Sequence, residues 1–302
     1  MSQKNNQKLG LLIILTCGTL WGLSGVLGQM LFQTSAASPE WITAFRLIVS
    51  GIFILIFSFI KKDHTLFDVW KNKKDILSLF IFSIFGVMAL QYAYFVAISA
   101  SNAATATVLQ YTYPVLMLFY TAFSTKKLPS IFEIIAILFA CLGIFLIATH
   151  GNLHSLSLST AALFWGLAAA VSFVFYTVYP QKTLFERLGM VPIMGWSFLI
   201  GGITLSLITR SYSFSVKWSV TSVNLILTIT FFGTLIPFLA YGIGVRILGN
   251  LRASLFVTVE PIISALLTVL LMKQRFSIAD IIGFLCIIGA IELIAVRTLK
   301  AK

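Results

Sequence analysis

Apolar residues run along this chain in long continuous blocks, separated by short polar segments. A helix needs about 20 predominantly apolar residues to cross the hydrocarbon core of a bilayer. By that measure residues 9–39 hold one span and 41–60 a second, which contains a single charge, Arg46. The charge-free stretch 76–125 has room for two spans, with a polar break at Ser99, Ser101 and Asn102. Stretch 134–181 likewise holds two, divided around His150, Gly151, Asn152 and His154. Residues 188–209 and 218–245 give one span each, followed by 253–272 with Glu260 inside and 278–296 with Glu292 inside. The blocks are continuous rather than alternating, so they predict helices and not the strands of a membrane barrel. The pattern predicts an all-α polytopic membrane protein with ten transmembrane helices. The longest gap, 61–75, is too short to hold a soluble domain.

Composition sharpens this picture. Hydrophobic residues make up 59% of the chain and charged residues 10%, with a mean hydropathy of +1.00. A soluble domain carries about 25% charged residues, so most of this surface must face lipid. Lys4 and Lys8 precede a first apolar run that is too long for a signal-peptide core of about 7–15 residues, and a retained first helix is expected. With a cytoplasmic N-terminus, sixteen Lys and Arg residues fall on the cytoplasmic side. Only Arg210, Lys217, Lys273 and Arg275 fall opposite. The positive-inside rule therefore places both termini in the cytoplasm, in the cell (plasma) membrane. The net charge of +12 is mainly this bias, set against anionic headgroups. It lacks the clustered basic groove and stacking aromatics of a nucleic-acid-binding protein. Cys17, Cys141 and Cys286 each sit deep in an apolar run, which argues against a disulfide framework and a metal cluster.

The chain also repeats itself. At an offset of 147 residues, 102–143 lies over 249–290, with Ala106 on Ala253, Pro114 on Pro261, Ser130 on Ser277 and Glu133 on Asp280. Each stretch reads as a helix with a mid-span proline, a short basic loop, and a helix opened by Ser and an acid. Five spans is an odd number, so two five-helix repeats must be inverted relative to one another. Inverted repeats place a substrate path at their pseudo-symmetric interface.

Several of these elements resemble the EamA branch of the drug/metabolite transporter (DMT) superfamily. They are Leu20-Trp21-Gly22 in the first span, Pro39 followed by Arg46, the run Ala103-Ala104-Thr105-Ala106-Thr107-Val108-Leu109-Gln110-Tyr111-Thr112-Tyr113-Pro114, and Val259-Glu260-Pro261. The stretch 102–110 is similar to an uncharacterised inner-membrane subgroup. The resemblance implies one EamA-like five-helix repeat over 9–149 and a second, inverted, over 158–297. Where the family often has a glutamate after the fourth and ninth helices, this chain has Lys127 and Gln274.

Charges within spans carry the most information about function, because their burial costs several kcal/mol unless something compensates. Glu260 lies mid-span, with Ser264 and Thr268 on the same helical face. It is a candidate for coupling to protons or for binding a cationic substrate group; the alternative is a bond to a neighbouring helix, Arg46 being one partner. Arg46 can either contact an anion or snorkel outward along its own stem. Glu133, Asp280 and Glu292 lie near span ends, where a water-facing position is expected. The uncharged candidates for substrate binding are Trp21, Gln91, Tyr92, Gln110, Tyr113, Trp165 and Tyr176. Gln110 and Tyr113 are three apart and expected on one face beside Pro114, and Tyr113 is the repeat partner of Glu260. His150 and His154 fall in a loop and lack a third metal ligand.

A secondary transporter of a small metabolite, such as an amino acid, is the leading expectation, working by alternating access at the repeat interface. The chain has no phosphate-binding loop to power transport by ATP. No cofactor or metal is called for, and no nucleic-acid partner. The expected partners are a small-molecule substrate, the lipid bilayer and protons, in a monomer or homodimer. An intramembrane enzyme would need bases or ligands at depth, yet His64, His150 and His154 are all in loops. The alternative is a membrane channel or a structural membrane protein without carrier activity.

Overall fold

The computed structural model describes residues 3–126, 130–150, 152, 158–214, 216–248, 253 and 256–300. Lys127, His154 and Arg252 therefore lie outside the described residues. The described chain is helical throughout: α1 (Gln3–Ser35), α2 (Pro39–Ile60), α3 (Lys73–Ile81), α4 (Ala89–Ala100), α5 (Ala103–Gln110), α6 (Tyr113–Thr125), α7 (Ile131–Thr149), α8 (Thr160–Pro180), α9 (Glu186–Leu188), α10 (Met190–Thr209), α11 (Val220–Thr230), α12 (Ile236–Leu248), α13 (Val259–Met272) and α14 (Ile278–Lys300).

Polar residues at the block edges set many of the starts. The side chains of Ser38, Asn72, Asn102, Ser159 and Ser219 each accept a hydrogen bond from a first-turn backbone N–H, replacing a partner the helix itself cannot supply. Ser130 with Glu133 and Ser277 with Asp280 form matching caps, in which the Ser backbone N–H donates to the acid at 2.7 and 2.8 Å. Asp280 is buried, contrary to the water-facing position expected, with its Oδ1 2.5 Å from His150 Nδ1.

Among the described residues, seven helical segments are long and apolar enough to cross a membrane, and α13 is a shorter apolar helix. Of the expected spans, the fourth and ninth, each with a mid-span proline, are interrupted. The fourth is split into α5 and α6 by a turn at Tyr111 and Thr112, and a turn at Val257 and Thr258 precedes α13. Pro114 and Pro261 explain both breaks: neither has an N–H to donate, and each ring crowds the carbonyl four residues earlier. π-Helical segments also lie at Phe82–Met88 between α3 and α4, at Gln181–Phe185 between α8 and α9 and at Phe231–Leu235 between α11 and α12. The first and last are third-span positions in their respective halves. After the broken spans, Lys126 and Lys273, an offset pair, both take a left-handed conformation with φ of 54°.

Helix packing follows the same exchange of halves. α2 packs on α10 and α7 on α14, each helix against its own counterpart. α4 packs on α8 as α12 packs on α1, and α5 on α8 as α13 on α1. The outward faces are apolar, with Phe59, Ile60, Phe123, Leu207, Ile208 and Ile278 exposed, as a lipid-facing surface requires. Small residues permit the closest crossings: a Cβ on Gly51 would stand 2.6 Å from the Leu199 backbone nitrogen, so α2 and α10 touch there through main chain.

Candidate functional site

The broken spans meet α1, α2, α4, α8 and α12 around a cavity between the two halves. Of the residues expected at a binding site, Trp21, Arg46, Gln91, Gln110, Tyr176 and Glu260 line it together. Tyr92, Tyr113 and Trp165 are not among the lining residues. Tyr92 donates its hydroxyl to Glu40 Oε1 at 3.0 Å and meets Trp165 edge to face at 5.3 Å. It follows Gln91 directly, and one residue on a helix turns the side chain by about 100°. Tyr113 stacks on Phe173 with ring centroids 4.1 Å apart. The expected shared face of Gln110 and Tyr113 does not form, because the turn at Tyr111 and Thr112 lies between them.

Arg46 does not snorkel. It is 2% exposed, donating through Nη2 to Gln91 Oε1 at 2.5 Å and through Nη1 to Thr234 Oγ1 at 3.5 Å. Its guanidinium carbon lies 3.9 Å from the centre of the Phe95 ring, a cation–π contact that offsets part of the lost hydration. Thr234 sits in the π-helical segment between α11 and α12, where its own hydroxyl donates to Ile229 O at 3.1 Å. The widened turn thus brings an acceptor from the second half to a cation of the first.

Glu260, 5% exposed, is not paired with Arg46. Its Oε2 lies 2.9 Å from the Tyr111 hydroxyl, which also lies 3.0 Å from the carbonyl of Val257. Pro261, four residues on, has no N–H for the Val257 carbonyl, which accepts instead from the Glu260 N–H at 3.0 Å and from Tyr111. Tyr111 therefore ties the break in the fourth span to the break in the ninth. Further along Glu260's face, Ser264 accepts a hydrogen bond from Thr107 at 3.3 Å, again across the halves.

Reasoning from the sequence missed Tyr111, together with Ser24, Tyr94, Phe173, Phe238 and Tyr241 on the cavity wall. Each is a common residue in an apolar run, and Tyr111, although inside the run 103–114 quoted above, has no charge or spacing that singles it out. Three buried polar atoms among the lining residues have no hydrogen-bond partner among the described residues: Trp21 Nε1, Ser24 Oγ and Arg46 Nε. The wall is thus rich in aromatic rings, with these polar atoms and the Glu260 carboxyl set among them.

A multi-pass helical protein with a cavity where broken helices of two halves meet fits a membrane transporter, and comparison with known proteins supplies the family. The chain belongs to the EamA-like transporter family, whose profile matches residues 8–149 and 160–296. It is 38% identical over 288 residues to a protein described as "Uncharacterized inner membrane transporter YicL" from Salmonella typhimurium (strain LT2), covering 95% of each chain. A solved structure described as "Crystal structure of protein" shares the fold, with a TM-score of 0.66 at 19% identity over 98% of this chain and 99% of the other. The protein is accordingly a multi-pass plasma-membrane transporter of the drug/metabolite transporter superfamily.

Proposed function

We propose that this protein is a secondary carrier that moves a small metabolite, such as an amino acid, by alternating access between two inverted five-helix repeats. The repeats are assigned to 9–149 and 158–297, with both termini cytoplasmic. The observation that carries the reading is the cavity itself. It lies where the proline-broken spans of the two halves meet, and it holds a buried cation, a buried carboxyl and three unpartnered polar atoms. Groups so costly to bury are placed at membrane depth where a polar solute compensates them. Trp21 Nε1, Arg46 Nε and Ser24 Oγ offer hydrogen bonds to acceptors on the solute. Gln110 and Glu260 can receive donors, and the aromatic wall takes its apolar body. Gradients of the solute or of protons supply the energy, Glu260 being the candidate proton carrier.

Counterflow in proteoliposomes tests this. Vesicles loaded with unlabelled solute should accumulate the labelled solute transiently, with saturable kinetics, for a cargo selected by its thermal stabilisation of the purified protein. Flux that grows linearly with concentration, without counterflow, would identify a channel instead. No flux for any stabilising solute would leave a structural membrane protein.

A further inference from the structure

The contacts of Tyr111 pose a question of proton count. A phenol has one proton to donate, yet the Tyr111 oxygen stands within hydrogen-bond distance of two groups that ordinarily accept, Val257 O at 3.0 Å and Glu260 Oε2 at 2.9 Å. An ionised carboxylate would leave one of those contacts facing a lone pair. A protonated carboxyl resolves both. Glu260 then donates to the Tyr111 oxygen, and Tyr111 donates to the Val257 carbonyl, so every proton has one acceptor.

We infer that Glu260 carries a proton in this state, and that Tyr111 is a positioning residue which reports that proton to the break in the ninth span. The charges around the site agree. The groups facing Glu260 are the phenols of Tyr94, Tyr111, Tyr113 and Tyr241. Cys17 sits beside Tyr241, and Arg46 lies on the cavity wall, its Nη atoms bound to Gln91 and Thr234. Behind the break, Thr258 donates to Glu292 at 3.4 Å. Among the described residues no cation is in ion-pair range of Glu260. The start of α13 favours a negative charge; the hydrogen-bond count decides against it. When the proton leaves, Tyr111 turns its hydrogen to the carboxylate, because a bond to a charged acceptor is the stronger. The Val257 carbonyl then loses that donor and keeps the Glu260 N–H at 3.0 Å. Deprotonation thus shifts this tie between the two halves from the backbone of the break to the Glu260 side chain, which couples the proton to the interface between them. The consequence for transport rests on the carrier reading above, but the proton itself does not.

Infrared difference spectroscopy on the full chain in lipid tests this without any substrate. At neutral pH the wild type should show a protonated-carboxyl C=O band that is lost in Glu260→Gln. In Tyr111→Phe the band should persist at higher frequency, since the acid has lost its acceptor. Absence of a Glu260-dependent band at neutral pH overturns the inference, as does a band whose frequency ignores Tyr111→Phe. Should that variant fail to fold, wild-type protein with 13C-labelled tyrosine gives a second reading. One phenol C–O band should shift in step with the carboxyl band as pH rises, and no such shift would also overturn it. Normal counterflow with either negative result removes the proton relay and leaves the carrier standing.

Discussion

Gly143 on α7 and Gly283 on α14 face each other so closely that a Cβ on either would stand 2.7 or 2.9 Å from the other's backbone oxygen. Their offset partners, Ala290 and Ala136, share a buried cluster on the same helix pair. The crossing is therefore built twice from small residues, which let helices approach where lipid offers no hydrophobic drive between them. Gly143→Leu or Gly283→Leu should lower stability by roughly 1–3 kcal/mol, the usual cost of overpacking. The thermal midpoint of the detergent-purified variants reads this directly; unchanged midpoints would mean that the two helices part easily.

Gln91 holds Arg46 in place. Removing its carbonyl in Gln91→Ala strips the guanidinium of its shortest bond, and hydrogen bonds to charged groups contribute about 1.5–3 kcal/mol. We expect both a lower melting temperature and weaker solute binding. Arg46→Lys should bind no better, because an ammonium cannot reproduce the planar fork that reaches Gln91 and Thr234 together. Wild-type affinity in either variant would separate Arg46 from recognition.

Gln110→Ala and Tyr113→Ala should now part company. Gln110 lines the cavity, so its loss should weaken binding while the fold survives. Tyr113 stacks on Phe173, so its truncation should cost roughly 3 kcal/mol of packing and disturb the cavity only through that ring. Equal stability of the two variants, measured by thermal denaturation, would contradict this division.

These differences show what the sequence could express. Length and apolarity place the spans, and a shared offset with matched prolines betrays the repeat, because both are properties of consecutive residues. Arg46, Gln91, Gln110 and Glu260 stand out because polar groups at depth are costly. Tyr111 does not, since a tyrosine beside Thr112 and Tyr113 differs little from a packing residue until α5 lies against α13. Tyr92 and Trp165 suit a site by their chemistry alone. The helix rotation between Gln91 and Tyr92 turns Tyr92 toward Glu40 instead, and Trp165 packs edge to face against it. The π-helical segments, which carry Thr234 to Arg46, leave no trace in apolar periodicity.

Orientation in the membrane follows from charge and is open to direct measurement. Reporter fusions at Thr65 should read cytoplasmic, and fusions at Ser155 and Ser213 should read external. A cytoplasmic signal at Ser155 would give the two halves the same orientation and dismantle the inverted repeat.

Glu260 yields the sharpest outcome. Its carboxyl is held by Tyr111 rather than by Arg46, so the double variant Glu260→Gln/Arg46→Gln should not regain the stability lost by the single ones, as it would if the two formed a locking pair. In Glu260→Gln the amide N–H can donate to Tyr111 as a protonated carboxyl would, but no proton can leave. For a solute that shows counterflow, this variant should lose accumulation driven by a pH gradient far more than it loses solute-for-solute exchange, which moves no net proton. Uptake should also become insensitive to external pH wherever that sensitivity arises at Glu260. Exchange and gradient-driven uptake falling together would assign Glu260 to holding the solute. Gradient-driven uptake intact in Glu260→Gln, with stability restored by the double change, would return it to a structural role.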